Sequence, residues 1–222
     1  MKPKSKLVAA EEAMQIIQDG DRILVGGFGQ KGTPDYLIDA LVDSGRKELT
    51  VISNDLGSPG KGLGRLLENG MIKALIGNYY TWNPKVAEAY TAGEIEVTLI
   101  PQGTFAEAIR AGGHGIPAFY TEVGVGTLLA EGKEHREVNG ITYILERALT
   151  ADIALIQAHK ADGLGNLVYQ RVARNFNPAM AMASKHCIVQ VSEVVDSGAL
   201  CPEEIVTPHV FIDRVVLTPE RS

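Results

Sequence analysis

The chain has 222 residues, 45% hydrophobic and 22% charged, which is ordinary globular composition with room for one sizeable core. A net charge of −6, with no Lys/Arg cluster beyond Lys2, Lys4 and Lys6, makes nucleic acid and anionic membrane poor partners. No apolar run approaches the ~20 residues of a membrane span, and the N-terminus runs quickly to Glu11 and Glu12 with no signal-peptide core. The two cysteines, Cys187 and Cys201, suit a reducing cytosol, so a cytoplasmic location is expected, with Cys187 buried in an apolar strand and no disulfide between them.

In chain order, the patterns predict a helix near 10–18, a strand at 22–26, a helix at 34–43 and a strand at 49–53. A glycine-rich helix start follows around 60–69, and further elements are expected at 71–76, 84–91, 95–100 and 103–111. Pro84 after Asn83 reads as a helix start, and Gly93 as that helix's end. Such alternation means β-α-β units. After residue 112 the pattern changes. Two glycine-rich loops precede a hairpin over His135–Leu145 around Asn139-Gly140. Ile153–Ala158 reads as a buried strand, Asp162–Asn166 as a turn, Asn177-Pro178 as the start of a small-residue helix, and Ile188–Val191 as another strand. With no linker, repeat or low-complexity segment, one domain over 1–222 is expected. Its fold class is α/β: an open, mostly parallel sheet with helices on both faces and hairpin additions in the second half.

The stretch Asp19–Pro34 carries the most information. Ile23, Leu24 and Val25 run directly into Gly26, Gly27, Gly29 and Gly32, and Thr33-Pro34 opens an amphipathic helix. A strand that ends in bare backbone at a helix N-terminus is expected to offer uncovered amides to an anionic or carbonyl-bearing ligand. Gly27-Phe28-Gly29-Gln30-Lys31-Gly32 also fits the dinucleotide pattern G-x-G-x-x-G, with Asp55 after the next strand, so an NAD-dependent oxidoreductase is the alternative reading. Pro34 opposes it. In a dinucleotide-binding turn Pro34 would fall inside the helix, at a cost of about 3 kcal/mol. With Thr33 as N-cap and Pro34 as the first helical residue, the same segment is a longer loop ahead of the helix.

Ligands in open α/β sheets bind outside the carboxyl ends of the strands. Four loops are expected there: Gly26–Gly32, Ser53–Gly64, Pro101–Thr104 and Gly112–Gly126. Together they hold 14 glycines, more than short connections need, and each bare amide is a potential oxyanion donor. Asn54 and Gln102 are the polar side chains at two strand ends; they suit a carbonyl or thioester better than a phosphate. The competing readings are an Asx-turn for Asn54 and a water-facing helix residue for Gln102. The five histidines have no metal-ligand spacing, so no metal is expected. His159 and Asp162 read as a loop pair, and Glu107 and Arg110 as a solvated helical pair. Glu122, in a glycine-rich loop, is either an exposed acid or an in-chain carboxylate nucleophile.

Asp19-Gly20, Ile23–Phe28, Gly32 and Pro34 together resemble the signature of the family I coenzyme A-transferases. The likeness continues through Ile100–Thr104, Ile109–Gly113, Gly115–Thr121, Gly124–Thr127, Ala151–Ile156, Gly165–Leu167 and Asn175–Pro178. The chain resembles the α-type subunits of the two-subunit enzymes, such as the acetate, butyrate–acetoacetate and 3-oxoacid CoA-transferases. The resemblance implies an enzyme that moves CoA from an acyl-CoA to a short-chain carboxylate through a glutamyl-CoA thioester. CoA would be a substrate, with no cofactor bound permanently. The nucleophilic glutamate would lie on a β subunit, so this chain would be catalytically incomplete alone and would act in a hetero-oligomer, α2β2. Gly26, Gly27, Phe28, Gly29, Gln30, Lys31 and Gly32 would correspond to the CoA-binding segment. Asn54 and Gln102 would face the acyl group. Asp55 stands where some relatives carry a second asparagine; it either repels a substrate carboxylate or caps a turn. Trp82, Tyr79, Tyr80 and Phe119 shape either the acyl pocket or the core.

Overall fold

The computed structural model describes residues 5–219. Lys2, Lys4 and Ser222 lie outside the described residues. In chain order the first half holds α1 (Ala10–Met14), β1 (Arg22–Val25), α2 (Asp35–Ser44), β2 (Leu49–Ile52), α3 (Gly64–Glu68), β3 (Ile72–Gly77), α4 (Pro84–Thr91), β4 (Glu96–Leu99) and α5 (Gln102–Gly113). The second half holds β5 (Ala118–Thr121), β6 (His135–Val138), β7 (Ile141–Arg147), β8 (Ala151–Asp162), β9 (Leu167–Val168), α6 (Asn177–Met182), β10 (Ser184–Val195) and β11 (Arg214–Leu217).

The main sheet has the order β11-β10-β8-β1-β2-β3-β4, parallel throughout, with β9 antiparallel on β8. Both faces are covered, as a parallel sheet requires. Ile23 and Val25 of β1 point into a core built with Ala10, Leu37, Leu66 and Val86 of α1 to α4. Leu24 points the other way, into a core built with Phe105 and Met180 of α5 and α6. That two-sided burial is why β1 reads as a continuous apolar run rather than an alternating one. β5, β6 and β7 form a separate antiparallel sheet, order β5-β7-β6, and its hairpin turns at Asn139-Gly140 with positive φ at both residues.

Expected starts and stops appear where local chemistry sets them. Asn83 caps α4 by accepting from the Lys85 amide, with Pro84 in the first turn. Gly93, at φ 73°, closes it. Three expectations are corrected. The first helix ends at Met14, not near 18. His159 and Asp162 are not a loop pair: both belong to β8, and Asp162 accepts the amides of Leu164, Gly165 and Asn166 in the turn that follows. Gly112 and Gly113 are the last residues of α5 rather than a loop at the carboxyl edge. A side chain at Gly113 would meet Met182 of α6 at 2.9 Å, and one at Gly112 would run into the Leu149 backbone, so the doublet serves close packing at the opposite end of the helix.

Candidate functional site

β1 is central, and the chain builds outward from it in both directions, so the sheet's switch point lies between β1 and β8. The Gly26–Gly32 loop leaves β1 at that point, where α/β sheets open a crevice. Phe28 and Lys31 exchange both backbone hydrogen bonds, 3.0 Å each, around Gly29 (φ 55°) and Gln30 (φ 65°). Positive φ at both central positions is the requirement of a type I′ turn. The tip from Phe28 to Lys31 is largely exposed, whereas Gly26, Gly27 and Gly32 are buried at the loop's root.

The loop is less open than its sequence implies. Five of its seven amides already donate within the protein: Gly26 to Leu155 O, Gly27 to Asn175 Oδ1, Phe28 to Lys31 O, Gly29 to Asp55 Oδ2 and Lys31 to Phe28 O. The expectation of a run of uncovered amides is therefore corrected. Helix α2 also begins differently. The Pro34 carbonyl accepts the first helical bond, from Ile38, so Pro34 is the cap and Thr33 is not. The amides of Tyr36 and Leu37 are taken by Gln190 Oε1 of β10, at 2.9 and 3.2 Å. The helix N-terminus that a dinucleotide phosphate would need is thus occupied by a side chain. The glycines form a loop ahead of the helix, as the Pro34 argument requires.

Asparagines and one aspartate hold this loop. Asn177, fully buried, accepts from Gln157 N and donates to Gly32 O and Ala173 O. Asp55 accepts from Gly29 N and Asn54 Nδ2 through one oxygen and from Gly57 N through the other, each at 2.9–3.0 Å. Asp55 therefore caps its own turn and ties two loops together; the Asx geometry belongs to it rather than to Asn54.

Two cavities flank the loop. One, of about 370 Å³, is polar and is walled by Gly26, Gly27, Gln30, Asp55, Lys61 and Arg65, among others. The other, of about 390 Å³, is mostly apolar. Phe28, Gly29, Asn54 and Gln102 all line this second cavity, so four sequence-expected residues from three loops converge there. Tyr79 and Trp82, packed edge to face at 5.3 Å, form its aromatic wall. Gln102, the first residue of α5, is exposed at the rim, and Asn54 is 4% exposed with its Oδ1 unpartnered. Lys31 and Gly32 line neither cavity. Tyr80 and Phe119 pack into the two cores, and burial pushes the Tyr80 phenol well above its ordinary range, keeping it neutral. Glu122 is exposed beyond β5 and lines neither cavity. Among the described residues no group of acids, histidines and cysteines could hold a metal ion. Sequence reasoning missed Asn78, Asn175 and Gln190; only Asn175 lies in a segment that the sequence motifs mark.

The loops beyond β1, β2, β3 and β4 thus border one mostly apolar cavity, lined by carboxamides and aromatics, on a doubly covered parallel sheet. The family model for coenzyme A transferase matches residues 7–218. The chain is 52% identical over 205 residues to the A-type subunit of the Helicobacter pylori succinyl-CoA:3-ketoacid coenzyme A transferase, covering 92% of this chain and 88% of that one. It is 44% identical over 217 residues to the alpha subunit of the Escherichia coli K12 acetate CoA-transferase, covering 98% and 99%. Among solved structures, an acyl-CoA transferase of E. coli O157:H7, in a thioester complex with CoA, matches with TM-score 0.89 at 22% identity. That match covers 99% of this chain and 48% of the other, so this chain spans about half of that protein. Glutaconate coenzyme A-transferase of Acidaminococcus fermentans matches with TM-score 0.84 at 19% identity, covering 97% and 76%. The chain belongs to the coenzyme A transferase family.

Proposed function

We propose that this chain is the α subunit of a two-subunit CoA-transferase that moves CoA from an acyl-CoA to a short-chain carboxylate. The observation that carries the reading is the convergence of Phe28, Gly29, Asn54 and Gln102 on one cavity of about 390 Å³. In this reading Asn54 and Gln102 position the acyl carbonyl, and the loop Gly26–Gly32 lies along the CoA arm. CoA is a substrate, and no cofactor is held permanently. The nucleophile is a glutamate of a β subunit, which attacks the thioester and then carries CoA as a glutamyl thioester. Such covalent catalysis needs hydrogen-bond donors at each acyl transfer and binding energy from the remote CoA tail.

Two features support an attacker supplied from outside. The lining of the acyl cavity holds one acid, Asp55, and its carboxylate is fully engaged with Gly29, Asn54 and Gly57. The rim residues Phe28 and Trp82 are each 51% exposed, leaving the cavity open for a second chain to cover. The assembly is α2β2, and free Cys187 and Cys201 are consistent with work in the cytoplasm. The acyl partners belong to the acetate, butyrate and 3-oxoacid group. The test is co-expression with a β subunit: the pair exchanges CoA between acyl-CoA and carboxylate, and Gln102→Ala lowers kcat more than it raises KM. An assembled pair with no exchange on any short-chain acid would overturn the reading.

A further inference from the structure

β2, β3 and β4 are successive neighbours in the sheet, and each delivers one carboxamide just beyond its carboxyl end. Asn54 follows β2 by two residues, Asn78 follows β3 by one, and Gln102 follows β4 by three. Adjacent strands lie about 4.8 Å apart, so Asn78 occupies the middle of a three-membered row. It lines the same cavity as the other two. The amides of Asn78 and Tyr79 both donate to the Asn54 carbonyl, at 3.4 and 3.1 Å, which fixes the two strand ends against each other.

No hydrogen bond holds the Asn78 side chain. Its Oδ1 and Nδ2 are both buried, and neither has a hydrogen-bond partner. A carboxamide desolvated at both ends is a rare feature that calls for an explanation, and a ligand in the adjoining cavity supplies one. The chemistry of the cavity says what the ligand offers. The only charged side chain in its lining is Asp55, so no cation is at hand for a negative oxygen, and neutral N–H donors must serve.

Resting on the CoA-transferase reading above, we propose that Asn78 is a third substrate-facing carboxamide, donating through Nδ2 to the carbonyl oxygen of the reacting acyl group. When the partner's carboxylate oxygen bonds to the acyl carbon, the carbonyl π pair moves onto the acyl group's own carbonyl oxygen. When the intermediate collapses, the carbonyl re-forms and the carbon–sulfur bond breaks, releasing CoA as a thiolate. No proton, oxidant or reductant is needed, and the oxygen carries most charge between these events. A neutral donor aimed there acts on the transition state more than on the bound substrate.

The test uses the full chain assembled with its β partner, with acetyl-CoA and acetoacetyl-CoA as donors. Asn78→Ala is expected to lower kcat about 10- to 100-fold for both donors, with KM changed less than about threefold. Asn78→Asp keeps the shape but places a carboxylate at the donor position. Its activity relative to wild type is expected to rise as pH falls, because a protonated carboxyl regains an O–H donor. A merely structural role would give a pH-independent ratio and a lowered melting temperature in both variants. Unchanged kcat in Asn78→Ala, a loss confined to acetoacetyl-CoA, or a flat Asn78→Asp ratio each overturns the proposal. A wild-type pair without exchange overturns the CoA-transferase reading and this proposal with it; an active wild type beside an unaffected Asn78→Ala overturns this proposal alone.

Discussion

Gly26→Ala tests how the glycine loop is anchored. Gly26 does not have a left-handed φ, so alanine is tolerated by the backbone itself. The obstacle is Asn177: a Cβ on Gly26 lies 2.7 Å from its Cγ and closer still to its Oδ1. Forcing that side chain away costs about 1–3 kcal/mol in overpacking. It also breaks bonds to Gln157 N, Gly32 O and Ala173 O, worth about 1 kcal/mol each. The single substitution should therefore cost about 4–6 kcal/mol, a large share of the roughly 5–15 kcal/mol that holds a typical domain folded. Asn177→Ala alone leaves the same backbone groups unpaired and costs about 2–4 kcal/mol. In the double variant the new methyl occupies the space the amide vacated, so the total should stay near the Asn177→Ala value. The coupling energy is then about −4 to −6 kcal/mol, equal and opposite to the cost of Gly26→Ala alone. Urea unfolding of the four proteins measures it. Additivity within about 0.5 kcal/mol would refute the claim that Asn177 is what makes a glycine necessary at position 26.

Gln190→Leu keeps volume but removes the acceptor for Tyr36 and Leu37; it should cost about 1–2 kcal/mol and speed hydrogen exchange at those two amides first. Asp55→Ala should cost about 2–4 kcal/mol, since three donors lose their partner, and a chemical-denaturation midpoint unchanged from wild type would contradict the tie between the loops. An aromatic disulfide reagent should modify exposed Cys201 quickly in the native chain. Cys187, whose thiol burial pushes well up, should react only on unfolding; two fast thiols would contradict the fold around β10. For pH, Asp152 is held below the ordinary carboxylate range by the Lys185 ammonium and then by the Arg22 amide. Its contribution is full above the unfolded value of about 3.9 and is lost as pH falls through the lower folded value. Asp152→Asn should flatten the acid limb of the stability curve, and an unchanged limb would count against that pairing.

The architecture was legible wherever local chemistry decides. The Ile23–Val25 run, the Asn83-Pro84 start, the Gly93 stop and the Asn139-Gly140 turn each specify their own geometry within a few residues. What stayed hidden was long-range. Nothing near Tyr36 announces that Gln190, 154 residues away, closes the start of its helix. Nothing near Gly27 announces that Asn175 accepts its amide. A glycine-rich loop looks like a row of free donors until the acceptors from other strands are in place. Gly112 and Gly113 misled for the same reason: glycines that permit close packing of α5 are indistinguishable in sequence from glycines that bind a ligand. The pairing of Asn54 with Gln102 was readable as two polar strand ends. Asn78 was not, because it counts as a member of the row only once β3 is known to lie between β2 and β4.

The central claim is that the acyl site on this chain is completed by an attacking carboxylate from another chain. The most direct measurement is CoA exchange between an acyl-CoA and a short-chain acid by this chain alone, by the β chain alone, and by the two mixed. Activity should appear only in the mixture and disappear when Gln102 and Asn54 are both replaced by alanine. Sustained turnover by this polypeptide without a partner would contradict the account.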